Sequence, residues 1–177
     1  MGSIRTESEY AVLDQSCENC WILPYYAQDK VGNTRLHECM ILAPQYDDFA
    51  KKLIDETWPA SLLNIQNNEG KTALHLAAIG NQSDIVRKLL LAGANPLAKD
   101  KQGYIPLHLA CQLGNDDAIV PLTKAFNDQE ITEMQSKNLT VPNLSPTIYE
   151  ENNKGQTPFH LAIKFGHDEI VKLFFKP

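Results

Sequence analysis

Four copies of one phrase constrain this chain more than any other feature. "TRLHECM" (34–40), "TALHLAA" (72–78), "IPLHLAC" (105–111) and "TPFHLAI" (157–163) each place a histidine three residues after the opening residue. The histidines are 38, 33 and 52 residues apart. A unit of this size cannot bury its apolar face alone, so recurrence predicts a stack of units sharing one continuous core. The complete unit is 70–102, and it reads as turn, helix, turn, helix, finger. Thr72 can cap the first helix through its hydroxyl. Thr157 can do the same, with Pro158 at the first helical position, where a missing N–H does no harm. Leu74, Leu76, Ala77 and Ala78 give that helix an apolar face with small residues for close packing. Ile85, Val86, Leu89 and Leu90 form a second stripe at helical spacing. Gly93 follows as a left-handed terminator.

The spacing also assigns the histidines. At the third helical position, an imidazole can bond back toward the capping hydroxyl and the neighbouring turn, as a capping box does. His37, His75, His108 and His160, with Thr72 and Thr157, are therefore expected to be structural. The rival reading, four metal ligands or bases, fails because each copy sits in its own layer with no converging carboxylate or cysteine. No Gly-rich phosphate loop, G-x-S-x-G or H-E-x-x-H is present. The expectation is no cofactor, no metal and no enzyme activity.

The net charge of −6 argues against a nucleic-acid binder, which needs a basic footprint. Residues 1–56 carry ten acids against five bases, and residues 57–177 carry twelve against eleven. The acidic end would attract a basic partner segment with a salt-sensitive on-rate. No apolar run reaches 18 residues, and "MGSIRTESEY" has no apolar signal core, so neither a membrane span nor a secretory leader is expected. Four cysteines make no dense framework, which fits a reducing compartment. Cys17 and Cys20 form a lone C-x-x-C, and only His37 and Cys39 offer themselves as further zinc ligands. Met1-Gly2 fits a minimal myristoylation pattern. Asn81 and Asn138 lie in glycosylation sequons, void inside a cell.

The T-P-L-H-x-A phrase at a 33-residue period resembles the ankyrin repeat. The expected fold is all-α: an ankyrin-repeat solenoid of about four repeats with short β-turn fingers. The repeats are placed at about 32–69, 70–102, 103–154 and 155–177, within a repeat domain of 29–177 behind an extension of 1–28. Asp29, Asn67, Asp100 and Asn152 each precede a glycine by three residues, where the family uses an Asx side chain to fix the finger turn. A long insertion, 127–148, separates the third and fourth repeats. Asp128 is expected to cap a short helix to about Lys137 there, unless the segment is only a surface excursion. Pro121 should kink or delay the second helix of the third repeat.

Within 62–126, "LLNIQN", "LLLAGA-P", "LHLAC" and "LTKAF" resemble the second and third repeats of the IκB family, the Cactus type in particular. The over-long first and third repeats match as well. That resemblance implies a cytoplasmic inhibitor of Rel/NF-κB transcription factors, with the nucleus as a second location. Early repeats of the family cover the basic nuclear-localisation segment of Rel, and later ones grip its dimerisation domain. Ser3, Ser8 and Ser16 lie outside any D-S-G-x-x-S degron, and no acidic PEST tail is present. In this the chain resembles the vankyrins, short viral IκB mimics of polydnaviruses that suppress host immunity. The alternatives are an adaptor that recruits a ubiquitin ligase or another host protein, and a nuclear IκB-like co-regulator. Partner contacts are expected at the finger tips: Asp29, Asn67, Asn68, Glu69, Lys99, Asp100, Lys101, Asn152 and Asn153. A homodimer through the Phe174–Phe175 end is a further arrangement.

Overall fold

The structure is a computed structural model and describes residues 23–57 and 59–175. Among them run α1 (Arg35–Leu42), α2 (Asp47–Glu56), α3 (Ala73–Ile79), α4 (Ser83–Leu91), α5 (Pro106–Leu113), α6 (Asp116–Thr123), α7 (Asp128–Ser136), α8 (Pro158–Lys164) and α9 (Asp168–Leu173). Among the described residues there is no strand. The helices form two layers. The inner layer is α1, α3, α5 and α8, each packed on the next. The outer layer is formed by α2, α4 and α6, also packed in series, with α9 against α8. Finger turns join each outer helix to the next inner one.

The core lies between the layers. Leu74, Ala77 and Ala78 of α3 meet Ile85, Val86, Leu89 and Leu90 of α4, all essentially inaccessible to water. Fully burying each large aliphatic side chain is worth about 1.5–3 kcal/mol. Gly93, at φ +94°, follows the C-cap of α4 in the left-handed region that favours glycine. A Cβ there would also meet Ala60 and Leu139.

The 127–148 insertion is not a loose excursion. Asn127, rather than Asp128, caps α7, accepting the Glu130 N–H at 2.9 Å while the Glu130 carboxylate takes the Asn127 N–H at 2.8 Å. Asn127 wins because its side chain sits one residue ahead of the first helical turn, where the free N–H groups point. Met134 is fully buried, and Leu144 and Thr147 are buried beyond it. Arg87 of α4 holds the helix down. Its guanidinium pairs both Glu130 oxygens at 2.8 and 2.6 Å and stacks on Phe126 at 4.3 Å. It also donates to the carbonyls of Lys124 and Ala125 at 3.0 and 3.2 Å. A bidentate, charge-assisted pair of this kind is worth about 1.5–3 kcal/mol per bond partner lost. Arg87→Ala should therefore release α7. Amide exchange over 128–139 should rise at least tenfold while α3 and α4 stay protected; unchanged protection of α7 would refute the clamp.

Pro121 does not delay its helix. Helix α6 starts at Asp116 and runs through Pro121 to Thr123. The proline is buried in the last turn, and only one intrahelical bond is forfeited so close to the end.

Candidate binding surface

Each finger is closed by one side-chain oxygen. Asp29 Oδ1 accepts the N–H groups of Val31 and Asn33 at 2.9 and 2.8 Å. Asn67 Oδ1 takes those of Glu69 and Lys71, both at 3.0 Å. Asp100 Oδ1 takes Gln102 and Tyr104 at 2.9 and 2.8 Å, and Asn152 Oδ1 takes Lys154 and Gln156 at 2.8 and 3.0 Å. Asp100 and Asn152 are buried, whereas Asp29 is exposed and Asn67 half-buried. Neighbouring fingers are then stitched together. The Asn68 amide N–H and side chain donate to Val31 O and Lys30 O, both at 3.0 Å. Asn153 repeats the pattern on Gln102 O and Lys101 O, both at 3.1 Å. Gln66 Nε2 bridges Gly70 O and Lys99 O at 2.7 and 2.8 Å.

Of the finger residues expected to meet a partner, six each use a side-chain atom to hold the array together: Asp29, Asn67, Asn68, Asp100, Asn152 and Asn153, of which Asp29, Asn68 and Asn153 stay exposed. Glu69, Lys99 and Lys101 are exposed as well. Glu69 pairs with Lys71 at 2.6 Å, which holds its carboxyl below the usual carboxylate range, and Lys99 pairs with Glu150 at 2.9 Å.

The four repeated histidines face two ways. The Nδ1 atoms of His37, His75, His108 and His160 accept the backbone N–H of Thr34, Thr72, Ile105 and Thr157 at 3.1–3.2 Å. Thr34 and Thr72 also bring their hydroxyls to within 2.8 and 2.9 Å. Nε2 of the first three reaches a carbonyl in the next finger: Lys71 O at 3.0 Å, Tyr104 O at 3.0 Å and Gln156 O at 2.9 Å. A carbonyl only accepts, so Nε2 carries the proton and the ring is neutral. Among the described residues His160 has no such carbonyl. Burial lowers His37 and His108 from their ordinary values and brings His75 to about 4. With both nitrogens occupied, His37 is not free to join a zinc site. Among the described residues no cluster could hold a metal ion. Cys17, Cys20 and Gly2 lie outside the described residues.

A second set of links at the opposite helix ends was missed by the sequence reading. Gln82 Nε2 donates to Met40 O at 3.1 Å. Asn115 Nδ2 donates to Ala78 O and Ile79 O at 2.9 and 2.7 Å. His167 Nε2 donates to Gln112 O at 3.1 Å. Each residue opens an outer helix and caps the inner helix of the repeat before it. The signal was the fifth histidine, three residues after an inner-helix end, which the four-copy motif does not include.

Stacked helix pairs and Asx-closed fingers define a repeat scaffold. The chain belongs to the ankyrin-repeat family: the family model for ankyrin repeats (3 copies) matches residues 36–134 and 100–177. It is similar to human NF-kappa-B inhibitor alpha, 38% identical over 113 residues, which cover 64% of this chain and 32% of that protein. It is also similar to the Drosophila melanogaster NF-kappa-B inhibitor cactus, 37% identical over 166 residues, covering 88% and 33%. The mouse B-cell lymphoma 3 protein homolog is 32% identical over 114 residues, covering 64% and 22%. The chain thus spans a third or less of the length of these relatives. Among the described residues no helix is long and apolar enough to cross a membrane.

Proposed function

We propose that the chain binds a Rel/NF-κB transcription factor and inhibits it in the cytoplasm as a short IκB mimic of the vankyrin kind. One observation carries the reading: the similarity to the cactus inhibitor runs across 88% of this chain. The first repeats would cover the basic nuclear-localisation segment, and the last would meet the dimerisation domain. The acids of the first repeat support this. Asp47 and Asp48 open α2, and Asp55 closes it, paired with Lys88 at 2.7 Å.

The test is capture of Rel homology regions by the full chain, with and without their basic segment. Binding should be retained by the intact region and weaken at least about tenfold, or 1.4 kcal/mol, without the segment. No capture of any Rel region would end the proposal.

A further inference from the structure

The inner helices end in an exposed apolar stripe. Counting from the motif histidine, the fourth and fifth residues are Ile41 and Leu42 in α1, Ile79 and Gly80 in the second copy, Gln112 and Leu113 in the third, and Lys164 and Phe165 in the fourth. Ile41, Leu42, Leu113 and Phe165 are 57%, 41%, 50% and 47% exposed, and Ile79 is half-buried. The Gln82, Asn115 and His167 bonds hold these ends side by side, one repeat against the next. Large exposed apolar residues recurring at one structural position are not the scattered kind that needs no explanation.

Along one edge of the stripe the outer helices begin, and their first turns are acidic. Asp48, Asp84, Asp116, Asp117, Asp168 and Glu169 are all exposed there. Lateral bonds fix this edge too: Asn81 Nδ2 donates to Asp117 Oδ2 at 3.2 Å, and Asn81 Oδ1 accepts the Ala118 N–H at 3.0 Å. The inner helices themselves contribute Lys164, whose ammonium lies 5.7 Å from the Phe165 ring centre. The acids favour their own helix termini. Lined up beside the stripe, they also set the charge of whatever covers it.

Geometry sets the shape of that occupant. Packed helices lie about 8–10 Å apart, so the stripe offers an apolar site at about that interval. An α-helix rises about 1.5 Å per residue, so seven residues bring one face back after about 10 Å. An extended strand covers the interval in about three residues, and side chains three apart point to opposite faces. The helix matches the interval and the strand does not. Three intervals span about 24–30 Å, the length of a helix of about 16–20 residues.

We propose that this stripe docks a basic amphipathic helix of a partner protein, lying across the inner helices with apolar residues toward Ile41, Leu42, Ile79, Leu113 and Phe165 and Lys/Arg residues toward the acidic edge. The inference stands on the stripe and does not depend on the partner being a Rel protein. It is tested on the full chain with a fluorescent 21-residue peptide (the length is a probe choice of about three heptads) carrying leucines on one helical face and lysines along one flank. Two controls are used: the same composition rearranged to strict alternation, and the helical peptide with glutamate for lysine. The helical basic peptide should bind at least about tenfold tighter than either control. Leu113→Ser with Phe165→Ser should weaken it about tenfold or more. Asp116→Lys with Asp117→Lys should slow association, less so at high salt. Circular dichroism and thermal melts of these surface variants should match the parent, which separates lost binding from lost folding. Equal binding of the three peptides, absence of binding, or indifference to the serine pair would overturn the proposal. Failure to capture Rel with the peptide still bound would remove only the Rel reading. Capture of Rel with the peptide unbound would remove only this one.

Discussion

Replacing His75 with alanine should lower stability by about 3–5 kcal/mol, while His160→Ala should cost about 1 kcal/mol. The two residues hold the same place in the same motif, yet they lose different things. His75 is fully buried; its removal strands the Thr72 N–H in the interior and takes one of two bonds from the Tyr104 carbonyl, which still accepts the Asp100 N–H. Each buried polar group left unpaired costs about 1–3 kcal/mol, and the emptied ring volume adds to that. His160 is exposed and serves only its own cap, so the cost is that of a cap alone. Urea denaturation of the two variants measures the difference. Equal losses would show that the bond to the next finger contributes nothing.

Acid should weaken the fold across a defined window, about pH 6.5 down to 4. Burial lowers His75 to about 4 in the folded chain, so the unfolded chain binds its proton first as pH falls. The stabilisation is complete above about 6.5, declines at up to about 1.4 kcal/mol per pH unit, and amounts to about 3 kcal/mol for this residue. His37 and His108 are lowered in the same direction by burial and add to the slope. The lowered carboxyls of Glu69, paired with Lys71, and Glu130, paired with Arg87, act in a separate window below the ordinary carboxylate range. Denaturation midpoints between pH 7.5 and 4.5 check this, with His75→Ala expected to flatten the profile. A flat parent profile between pH 7 and 5 would refute it.

The all-α stacked architecture was legible because periodicity reports burial directly: a stripe at i, i+3, i+4 repeated at fixed intervals leaves few other ways to cover it. The bond from each histidine to its own cap follows from a spacing of three residues. Its bond to a carbonyl 29 to 48 residues away does not, since that depends on how closely the next finger stacks. The same limit hid the Gln82, Asn115 and His167 links, three residue types in one structural place. The finger tips were named from the family's habits, but which of their atoms remain available depends on hydrogen bonds between fingers. Net charge by chain segment pointed to the N-terminal end. Only the fold aligns Asp84, Asp116 and Asp168 with Asp48 into one edge, since residues far apart in sequence become neighbours there.

The Arg87 clamp changes how this array should come apart. In a linear stack each unit touches only its neighbours, and unfolding can begin anywhere and spread one unit at a time. Arg87 belongs to the second unit and grips the insertion that the third unit carries. That grip ties the middle of the molecule into a single block with its insertion. Under a stretching force the fourth unit, outside the clamp, should yield first as a separate small step. The second and third should then rupture together in one larger event, and cutting the clamp with Arg87→Ala should divide that event in two.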